Sequence, residues 1–589
     1  MLNGTKINDY KQIVNGFNNF FTDIGPNLSD TIKCDSNNTF SSYLKKKITF
    51  SFEFKTVTVK DTLDTIKLIK PKTSCGHDNI STKLLKHMSL IIAPALTLIV
   101  NQSLSTGIFP DRLKIAKVIP LFKKGNPHVF DNYRPISLLP AVSKVFEKIV
   151  FKQLYKYLVS NKLIYESQYG FRDEHSTELA GLELCDRISE YIDKNKIPIT
   201  IYLDLSKAFD TLDHNILLRK LKYYGVSGPA FNWFHSYLSN RHQYSEMNGC
   251  ISDMRKITTG VPQGSILGPL LFIIYMNDIY HASKKFHSIL YADDTSLLDT
   301  LCSFNTVMDK SYNKTLIADN INAELQEIST WLAVNKLSLN VQKTKFMIFH
   351  NRQRDISTLV PELKINGSPI ERVAEFNFLG LTLDEHMSWA AHINKISNKL
   401  SRTIGIISRL KNTLDTHILK LIYNALITPH LQYAVLCWGY KSNRIFKLQK
   451  RAIRLITHSK YNAHTEPLFK MLNLLKVQDL YKWCCLKFSY KLSNGCLPQY
   501  FIVNFSNDQE THPYNTRHGH ITPRRPNTLC REKCLRFHLP QLLRETPSAI
   551  TDKHNTHSLS GFSKYVKKCI LNEYSLDCAI ENCYICSNS

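Results

Sequence analysis

Three aspartates stand at the ends of apolar, strand-like segments of the sequence. Asp204 follows the run 197–203, and Asp293 and Asp294 are adjacent inside the apolar segment 288–298. Neighbouring carboxylates repel each other unless a cation lies between them. Hard divalent ions such as Mg²⁺ prefer such oxygens, and two ions about 3.5 to 4 Å apart can activate an attacking oxygen and stabilise a leaving one. The spacing favours a two-metal site, with Asp204 and Asp293 as bridging ligands and Asp294 in support.

The elements that must position these aspartates follow from the periodicity. Every second residue of the run 197–203 is apolar, so Asp204 ends a strand on its polar face. Apolar residues on both sides of Asp293 and Asp294 predict a tight hairpin, although such a pair taken alone is more often a solvated turn. The Gly and Pro residues of segment 260–272 let backbone approach a ligand before an apolar helix, a pattern also typical of a loop that caps a core helix.

The charge balance points to a polyanionic partner. Lys and Arg number 75 against 49 Asp and Glu, which gives the 589-residue chain a formal net charge of +26. A surplus of this size on a folded protein favours nucleic acid as the first partner to test. Hydrophobic residues make up 43%, with 21 Gly and 22 Pro, and this composition argues against disordered and collagen-like classes.

The sequence also indicates a compartment. Residues 1–6 lack the sections of a secretory signal, and the best candidate for a membrane span, 90–100, is shorter than the roughly 20 residues that cross a bilayer. We interpret that run as a buried helix. The 15 Cys show no even framework, which suits a reducing compartment. We therefore expect an intracellular protein without a membrane partner.

A series of sequence blocks resembles a known polymerase family. The blocks are Tyr-Arg-Pro-Ile-Ser-Leu-Leu at 133–139, Gln-Tyr-Gly-Phe-Arg at 168–172, Leu-Asp-Leu-Ser-Lys-Ala-Phe-Asp at 203–210, Pro-Gln-Gly at 262–264, Tyr-Ala-Asp-Asp at 291–294, the Lys-bearing segment 337–345 and Phe-Leu-Gly-Leu at 378–381. In this order they resemble the blocks of reverse transcriptases, most of all those of non-LTR (LINE-type, jockey-like) retrotransposons. Weaker similarity extends to 15–21 and 515–518.

The resemblance implies an α+β fold of the right-hand polymerase type, with fingers, an antiparallel palm sheet, a helical thumb and a C-terminal extension. The expected limits are 1–100 for an N-terminal extension, 101–383 for the reverse transcriptase domain with fingers and palm, 384–480 for the helical thumb and a basic helix, and 481–589 for the C-terminal extension. The implied reaction extends a DNA primer, or nicked target DNA, on an RNA template with deoxynucleoside triphosphates and two Mg²⁺ ions, for which Mn²⁺ is a possible substitute.

The resemblance also implies roles for individual residues. Asp204, Asp293 and Asp294 would hold the two ions, and Lys343 would donate a proton to the leaving pyrophosphate. Phe209 would crowd a ribose 2′ hydroxyl and so favour deoxynucleotides.

Four further positions complete the expected nucleotide site. Gln263 would touch the nucleotide or the template base, and Gly264 would let it pack closely. Arg172 would bind the triphosphate, because a guanidinium fork matches phosphate oxygens, with Lys117 or Lys123 as helpers.

Two amphipathic helices are predicted after residue 389. The apolar residues of 393–410 recur at spacings of three and four, as in a thumb helix. Further on, four basic residues with helical spacing share one face, namely Lys447, Lys450, Arg451 and Arg454. Like charges at this spacing repel unless an anion neutralises them. We expect this face to follow the phosphates of a primer–template duplex, with a merely solvated face as the alternative.

The C-terminal cysteines invite a zinc hypothesis. They form two groups, Cys578, Cys583 and Cys586, and Cys530 and Cys534 with His538. Neither group has the full four-ligand spacing of a zinc finger or knuckle. Unpaired thiols in a partly loose tail are the favoured interpretation.

The sequence departs from complete elements of the family, which usually carry an apurinic-type endonuclease before the polymerase. We find no counterpart, and no RNase H block after the thumb, so we expect a polymerase without either activity. An intron-maturase-like protein and a catalytically silent or domesticated RNA-binding remnant stay open as alternatives. Target-primed synthesis would take place in the nucleus and a ribonucleoprotein would occupy the cytoplasm, while the oligomeric state stays open.

Overall fold

The structure, a computed structural model, describes residues 9–32, 39–45, 48–303, 313–354, 356, 359–506, 526–551 and 558–575. Its strands are β1 (Ile115–Phe122), β2 (Tyr133–Leu138), β3 (Lys196–Leu203), β4 (Arg241–Met247), β5 (Cys250–Ile251), β6 (Arg255–Ile257), β7 (His287–Tyr291), β8 (Asp294–Ser303), β9 (Lys345–Ile348), β10 (Lys364–Ile365), β11 (Ser368–Pro369), β12 (Glu371–Arg372), β13 (Glu375–Phe378) and β14 (Leu381–Asp384).

Helices precede, separate and follow these strands. They are α1 (Tyr10–Asp30), α2 (Val59–Leu68), α3 (Thr82–His87), α4 (Ser89–Thr106), α5 (Ala141–Ser160), α6 (Thr177–Asp193), α7 (His214–Tyr223), α8 (Gly228–Leu238), α9 (Gly268–Met276), α10 (Lys314–Val334), α11 (Ala390–Leu410), α12 (Thr416–Leu426), α13 (Thr428–Gln432), α14 (Val435–Trp438), α15 (Asn443–Ile456), α16 (Glu466–Met471), α17 (Val477–Ser493), α18 (Gln499–Ser506), α19 (Leu529–Glu532), α20 (Leu535–Glu545), α21 (Ser548–Thr551) and α22 (Leu559–Asn572).

Two sheets organise the region before α11. The central sheet has the order β12-β9-β3-β8-β7, and β3 runs antiparallel to both of its neighbours. The second sheet has the order β2-β1-β4-β5, with β6 also paired to β4; its β1–β4 pair is parallel. Most of the strand pairs are antiparallel, and the described residues after β14 form helices but no strands. The prediction of an α+β fold is confirmed.

The central strand β3 corrects one detail of the sequence analysis. Its alternation predicted a polar face, yet Thr200 and Tyr202 are as buried as the apolar residues between them. The Tyr202 ring stacks on Phe376 of the β13–β14 hairpin, with ring centroids 3.9 Å apart. Helix α6 covers the same side of the sheet. A strand that is covered on both faces cannot be recognised from a half-buried pattern.

Helix α4 corrects both a boundary and a burial prediction. It runs through the limit expected at residue 100, and its C-cap Gly107 has the left-handed φ of 71° that ends many helices. One face contributes Val100 and Leu104 to the main core, while Leu90 and Leu98 on the other are exposed. It is half-buried rather than buried. Within the described ranges, this helix alone is long and apolar enough to span a membrane.

The helices after β14 form a second core together with α6. The residues of α11 that recur at three and four, including Ile396, Leu400 and Ile407, are buried as the periodicity predicted. Helix α17 runs through the limit expected at residue 480. A buried ion pair of 2.6 Å between Arg531 and Asp186 attaches the C-terminal helices to α6, which the expected loose tail did not anticipate.

The zinc hypothesis receives no support from the described residues. The Cys534 thiol donates to the Ser189 hydroxyl at 3.0 Å and to the Cys530 carbonyl at 3.2 Å. The His538 ring contacts the Tyr481 hydroxyl instead, with Nδ1 and the oxygen 3.2 Å apart. Neither Cys530 nor Cys534 forms a disulfide bond within the described residues. The other group, Cys578, Cys583 and Cys586, lies outside the described residues.

Candidate active site

Strand register brings the three aspartates together. Strands β7 and β8 form the predicted hairpin, whose last pair is Tyr291 with Asp294. The turn between them is tight, and Ala292 takes a left-handed φ of 57° there. Strand β3 pairs with β8 so that Leu203 lies opposite Thr295, which places Asp204 beside Asp294 at the same end of the sheet. Asp204, Asp293 and Asp294 are called the aspartate cluster below.

The electrostatics of the aspartate cluster are unfavourable without a cation. Desolvation of its carboxyl group raises the pKa of Asp294 to about 6, and the charges of Asp293 and Asp204 raise it further. The residue as a whole is nevertheless exposed. Burial also raises the pKa of Asp293, with a further contribution from Asp204. Carboxylates that share a site in this way favour protonation or a bound cation. The cluster therefore has the donor set and the crowding that a divalent-ion site requires.

Lys343 is held next to the aspartate cluster by the backbone. Its ammonium group lies 3.5 Å from Oδ2 of Asp204. The Asn340 N–H donates to the Asp204 carbonyl at 2.8 Å, and the Ser206 N–H donates to the Ser338 carbonyl at 2.8 Å. These bonds attach the loop that carries Lys343 to the chain that follows β3. The Lys343 side chain itself is exposed, so it can move toward a ligand.

Basic side chains of the β1–β2 hairpin face the aspartate cluster. The positive charges of Arg134 and Lys123 oppose the rise in the pKa of Asp293. Burial lowers the pKa of Lys123, and Arg134, Lys124 and Lys343 lower it further. A crowd of cations beside carboxylates is typical of a site for a polyanion. Lys123 is thus near the cluster, as the sequence suggested, and Arg134 was missed although it stands in the block 133–139.

Lys117, the other lysine suggested to help bind the triphosphate, makes its contact on strand β4 instead. Its ammonium group forms an ion pair of 2.7 Å with Glu246 on the neighbouring strand β4. The pairing of β1 with β4 fixes this contact.

Gln263 is positioned by a residue to which sequence analysis gave no role. Its Nε2 donates to both carboxylate oxygens of Asp210, each at 3.0 Å. Burial raises the pKa of Asp210 to about 6, which the bond from Gln263 and the charge of Lys207 partly offset. The Gln263 carbonyl accepts from the Ser137 N–H at 2.9 Å. Asp210 is the last residue of the block 203–210, and this position was the only feature of the sequence that pointed to a role for it.

Gly264 packs closely, but against protein. Its φ is 137°, and a Cβ at this position would collide with the Ser137 carbonyl oxygen. The glycine thus lets the 262–264 segment lie against strand β2.

Phe209 presents a fixed aromatic ring. The ring stacks on Phe272, with centroids 4.4 Å apart, and meets Phe171 edge-on at 6.2 Å. The residue is half-buried, so the ring keeps an accessible part. Phe209 stands five residues after Asp204 in the chain.

Backbone carbonyls accept hydrogen bonds from one guanidinium nitrogen of Arg172. Its Nη1 donates to the carbonyls of Tyr165, Glu166 and Gln168 at 2.8, 3.2 and 3.0 Å. The same loop supports the aspartate turn, because the side-chain oxygen of Gln168 accepts from the Ala292 N–H at 3.3 Å. These contacts favour a positioning role for Arg172, while triphosphate binding stays a prediction. Gln168 opens the block 168–172, and no role was predicted for it.

The four predicted nucleic-acid contacts all lie on α15. Lys447 and Arg451 are exposed. The Lys450 ammonium lies 4.4 Å from the centre of the Phe446 ring, and Nε of Arg454 donates to the Ala463 carbonyl at 2.8 Å. The basic face, meaning Lys447, Lys450, Arg451 and Arg454, therefore includes two solvated cations and two that also have intramolecular contacts.

Comparisons with known proteins agree with this geometry. The family model described as reverse transcriptase (RNA-dependent DNA polymerase) matches residues 122–383, a range that contains the aspartate cluster. The chain is 28% identical to the probable RNA-directed DNA polymerase from transposon BS of Drosophila melanogaster over 451 residues, which are 74% of this chain and 48% of the relative. It is also 28% identical over 451 residues to the RNA-directed DNA polymerase from mobile element jockey of Drosophila funebris, again 74% of this chain and 48% of the relative.

The X-element polymerase of Drosophila melanogaster is 27% identical over 414 residues, or 69% of this chain and 44% of the relative. The chain thus spans about half the length of the curated relatives it matches. Residues 122–383 match a reverse transcriptase domain, and the chain is similar to the RNA-directed DNA polymerases of Drosophila mobile elements such as jockey.

Proposed function

We propose that this protein extends a DNA primer, or nicked target DNA, on an RNA template. The observation that carries the proposal is the convergence of Asp204, Asp293 and Asp294 through the register of β3, β7 and β8. The raised pKa values of Asp293 and Asp294 support it, because carboxylates crowded in this way favour a bound cation.

The aspartate cluster would hold two Mg²⁺ ions, with Mn²⁺ as a substitute. Bound there, the ions would supply activation of the primer 3′ hydroxyl and stabilisation of the charge that develops on the phosphates. Lys343, 3.5 Å from Asp204, is within reach of the same reaction centre. Its ammonium would donate a proton to the leaving pyrophosphate, a general-acid role.

The surrounding residues would bind and select the deoxynucleoside triphosphate. Lys123 and Arg134 supply positive charge beside Asp293, which suits the triphosphate. Gln263, oriented by Asp210, would contact the nucleotide or template base. The Phe209 ring cannot retreat, because Phe272 lies behind it, and so would exclude a ribose 2′ hydroxyl.

The architecture fits a right-hand polymerase under this proposal. The second sheet would form part of the fingers, the central sheet would be the palm, and α11 would begin the thumb. The basic face of α15 would follow the phosphates of the primer–template duplex.

The test is primer extension by the purified chain on an RNA template with deoxynucleotides and Mg²⁺. The Asp293→Asn, Asp294→Asn variant is expected to lose extension by at least about 10³-fold, because metal-bound catalysis needs both charges. The matched control is Asp319→Asn on the exposed face of α10, which should extend normally.

Binding of the primer–template is measured in parallel. Loss of extension with retained binding supports the proposal. A folded wild-type chain that binds the duplex but never extends it contradicts the proposal and favours the silent RNA-binding alternative.

A further inference from the structure

A second group of potential metal ligands lies away from the aspartate cluster. His350 follows strand β9, and Glu385 and His386 follow strand β14. One ligand atom from each residue lies within 4.8 Å of the other two. Within the described ranges this is the one group of three or more His, Cys, Asp or Glu side chains with such spacing. We call it the histidine–glutamate cluster.

Backbone contacts fix the tautomer of both imidazoles. Nδ1 of His350 lies 3.0 Å from the Asn351 carbonyl oxygen, and Nδ1 of His386 lies 3.2 Å from the His350 carbonyl oxygen. A carbonyl oxygen can only accept, so each Nδ1 carries the proton and each Nε2 keeps its lone pair. Metal-binding histidines are commonly oriented in this way, by donation from the second ring nitrogen to a carbonyl.

Both lone pairs face the same carboxylate across a gap. Nε2 of His350 lies 3.8 Å from Oε2 of Glu385, and Nε2 of His386 lies 3.9 Å from Oε1. These distances are too long for hydrogen bonds. Zn–N bonds of roughly 2.05 Å in a tetrahedron place neighbouring ligand atoms about 3.3 Å apart. The three ligand atoms, which lie within 4.8 Å of one another, would therefore move closer together on binding.

Arg372 holds the Glu385 carboxylate, and a backbone hydrogen bond fixes the Glu385 main chain. Nη2 of Arg372 on β12 donates to Oε2 of Glu385 at 2.8 Å, which leaves Oε1 for an ion. The His350 N–H donates to the Glu385 carbonyl at 2.9 Å, so the two segments already touch. Oriented ligands of this kind need little rearrangement on binding.

The cluster lies at the opposite end of the central sheet from the aspartates. Strand β9 runs antiparallel to β3, and the Phe349 N–H donates to the Pro198 carbonyl near the start of β3. Asp204 follows the far end of β3, so at about 3.3 Å per residue the two clusters are roughly 20 Å apart. An ion at the histidine–glutamate cluster would therefore not take part in nucleotide transfer.

We propose that His350, Glu385 and His386 bind one divalent transition-metal ion of the zinc class, with water in the fourth position. Two imidazoles and one carboxylate form a donor set that suits Zn²⁺ and excludes Mg²⁺, which prefers oxygen ligands. The ion would join the end of β9 to the segment that leads into α11, and thereby stabilise the junction between the central sheet and the following helices.

The test is a Zn²⁺ titration of the chelator-stripped full chain against a chromophoric chelator, with excess Mg²⁺ present. The wild-type chain is expected to bind one molar equivalent more than the His350→Gln, His386→Gln variant. The matched control is His87→Gln, His417→Gln, which removes two exposed histidines and should bind as the wild type does. Equal stoichiometry in the wild-type and cluster variants would overturn the proposal.

A second measurement uses the unmodified chain, so it holds even if the cluster variant fails to fold. The chain is loaded with one equivalent of Cu²⁺ and treated with ascorbate and oxygen, which oxidise the histidines that ligate copper. Oxidation that maps by mass spectrometry to His350 or His386 supports the proposal. Oxidation confined to other residues overturns it.

Discussion

The aspartate cluster and the basic face of α15 differ in how their charged residues become neighbours. The cluster joins residues from two separate parts of the chain, and strand register alone makes them neighbours. The basic face lies on one helix of 14 residues, where ordinary helical spacing makes its members neighbours. Removal of one member should therefore abolish the function of the cluster, whereas it should weaken the function of the basic face step by step.

Outside the aspartate cluster, the largest effect of a single substitution is expected at Lys343. Lys343→Ala should lower the single-turnover rate of nucleotide addition by about 10²- to 10⁴-fold, the usual contribution of a general acid. Binding of primer–template should stay unchanged, and rapid-quench kinetics separate the two quantities. Lys284→Ala, at an exposed lysine before β7, is the control. An unchanged rate with weaker nucleotide binding would assign Lys343 to binding instead.

A smaller effect is expected on substrate choice. Phe209→Val should raise incorporation of ribonucleotides relative to deoxynucleotides by about 10- to 100-fold, because the smaller side chain leaves room for a 2′ hydroxyl. The ratio of kcat/KM for the two nucleotides measures this. Deoxynucleotide incorporation by the same variant is the internal control, and an unchanged ratio would mean that Phe209 serves packing alone.

The basic face should respond additively. Lys447→Ala and Arg451→Ala should each lower the slope of log affinity against log salt by about one, and the double variant by about two. Arg454→Ala should change the slope less, because Nε of Arg454 already serves the Ala463 carbonyl. Filter binding at several salt concentrations gives the slopes. Equal slopes in the wild-type and double variants would leave α15 with a merely solvated face.

The smallest expected effect is on stability. The raised pKa of Asp294 means that the folded chain binds a proton more tightly than the unfolded one. The charge therefore destabilises the metal-free fold above pH 6, and stability recovers as the pH falls through about 6 toward the unfolded pKa. Asp294→Asn should stabilise the metal-free chain at pH 7.5 by at most about 1 kcal/mol, because solvent screens the repulsion.

Urea denaturation at pH 7.5 and pH 5 measures that difference. Mg²⁺ should stabilise the wild type at pH 7.5 and have less effect on Asp294→Asn, since the ion relieves the same repulsion. Asp319→Asn is again the control. A variant that is less stable than the wild type at pH 7.5 would contradict the electrostatic account.

The parts of the site that could be predicted from sequence depend on short-range pattern. The β7–β8 hairpin and the buried stripe of α11 follow from periodicity within a few residues. Contacts over long separations could not be predicted in this way. The bond from Gln263 to Asp210 and the stacking of Tyr202 on Phe376 join residues that only the finished fold makes adjacent.

Arg172 also shows that a residue type does not determine the contacts that the side chain makes. Its residue type suits a phosphate ligand, but three carbonyls surround its guanidinium. Sequence reveals which groups a side chain can bind, and tertiary packing decides which of them it meets.

The position of β3 between β8 and β9 governs when the central sheet can be completed during synthesis. Asp204 leaves the ribosome long before β9, which begins at Lys345. At about 5 to 20 residues per second, roughly seven to thirty seconds separate the two. Throughout that interval the edge of β3 that pairs with β9 has no partner. The long intervening segment must close as a loop before β9 can pair with β3. A chain that stops at Val334, the last residue of α10, would carry all three aspartates and still lack the support that Lys343 and its loop give them.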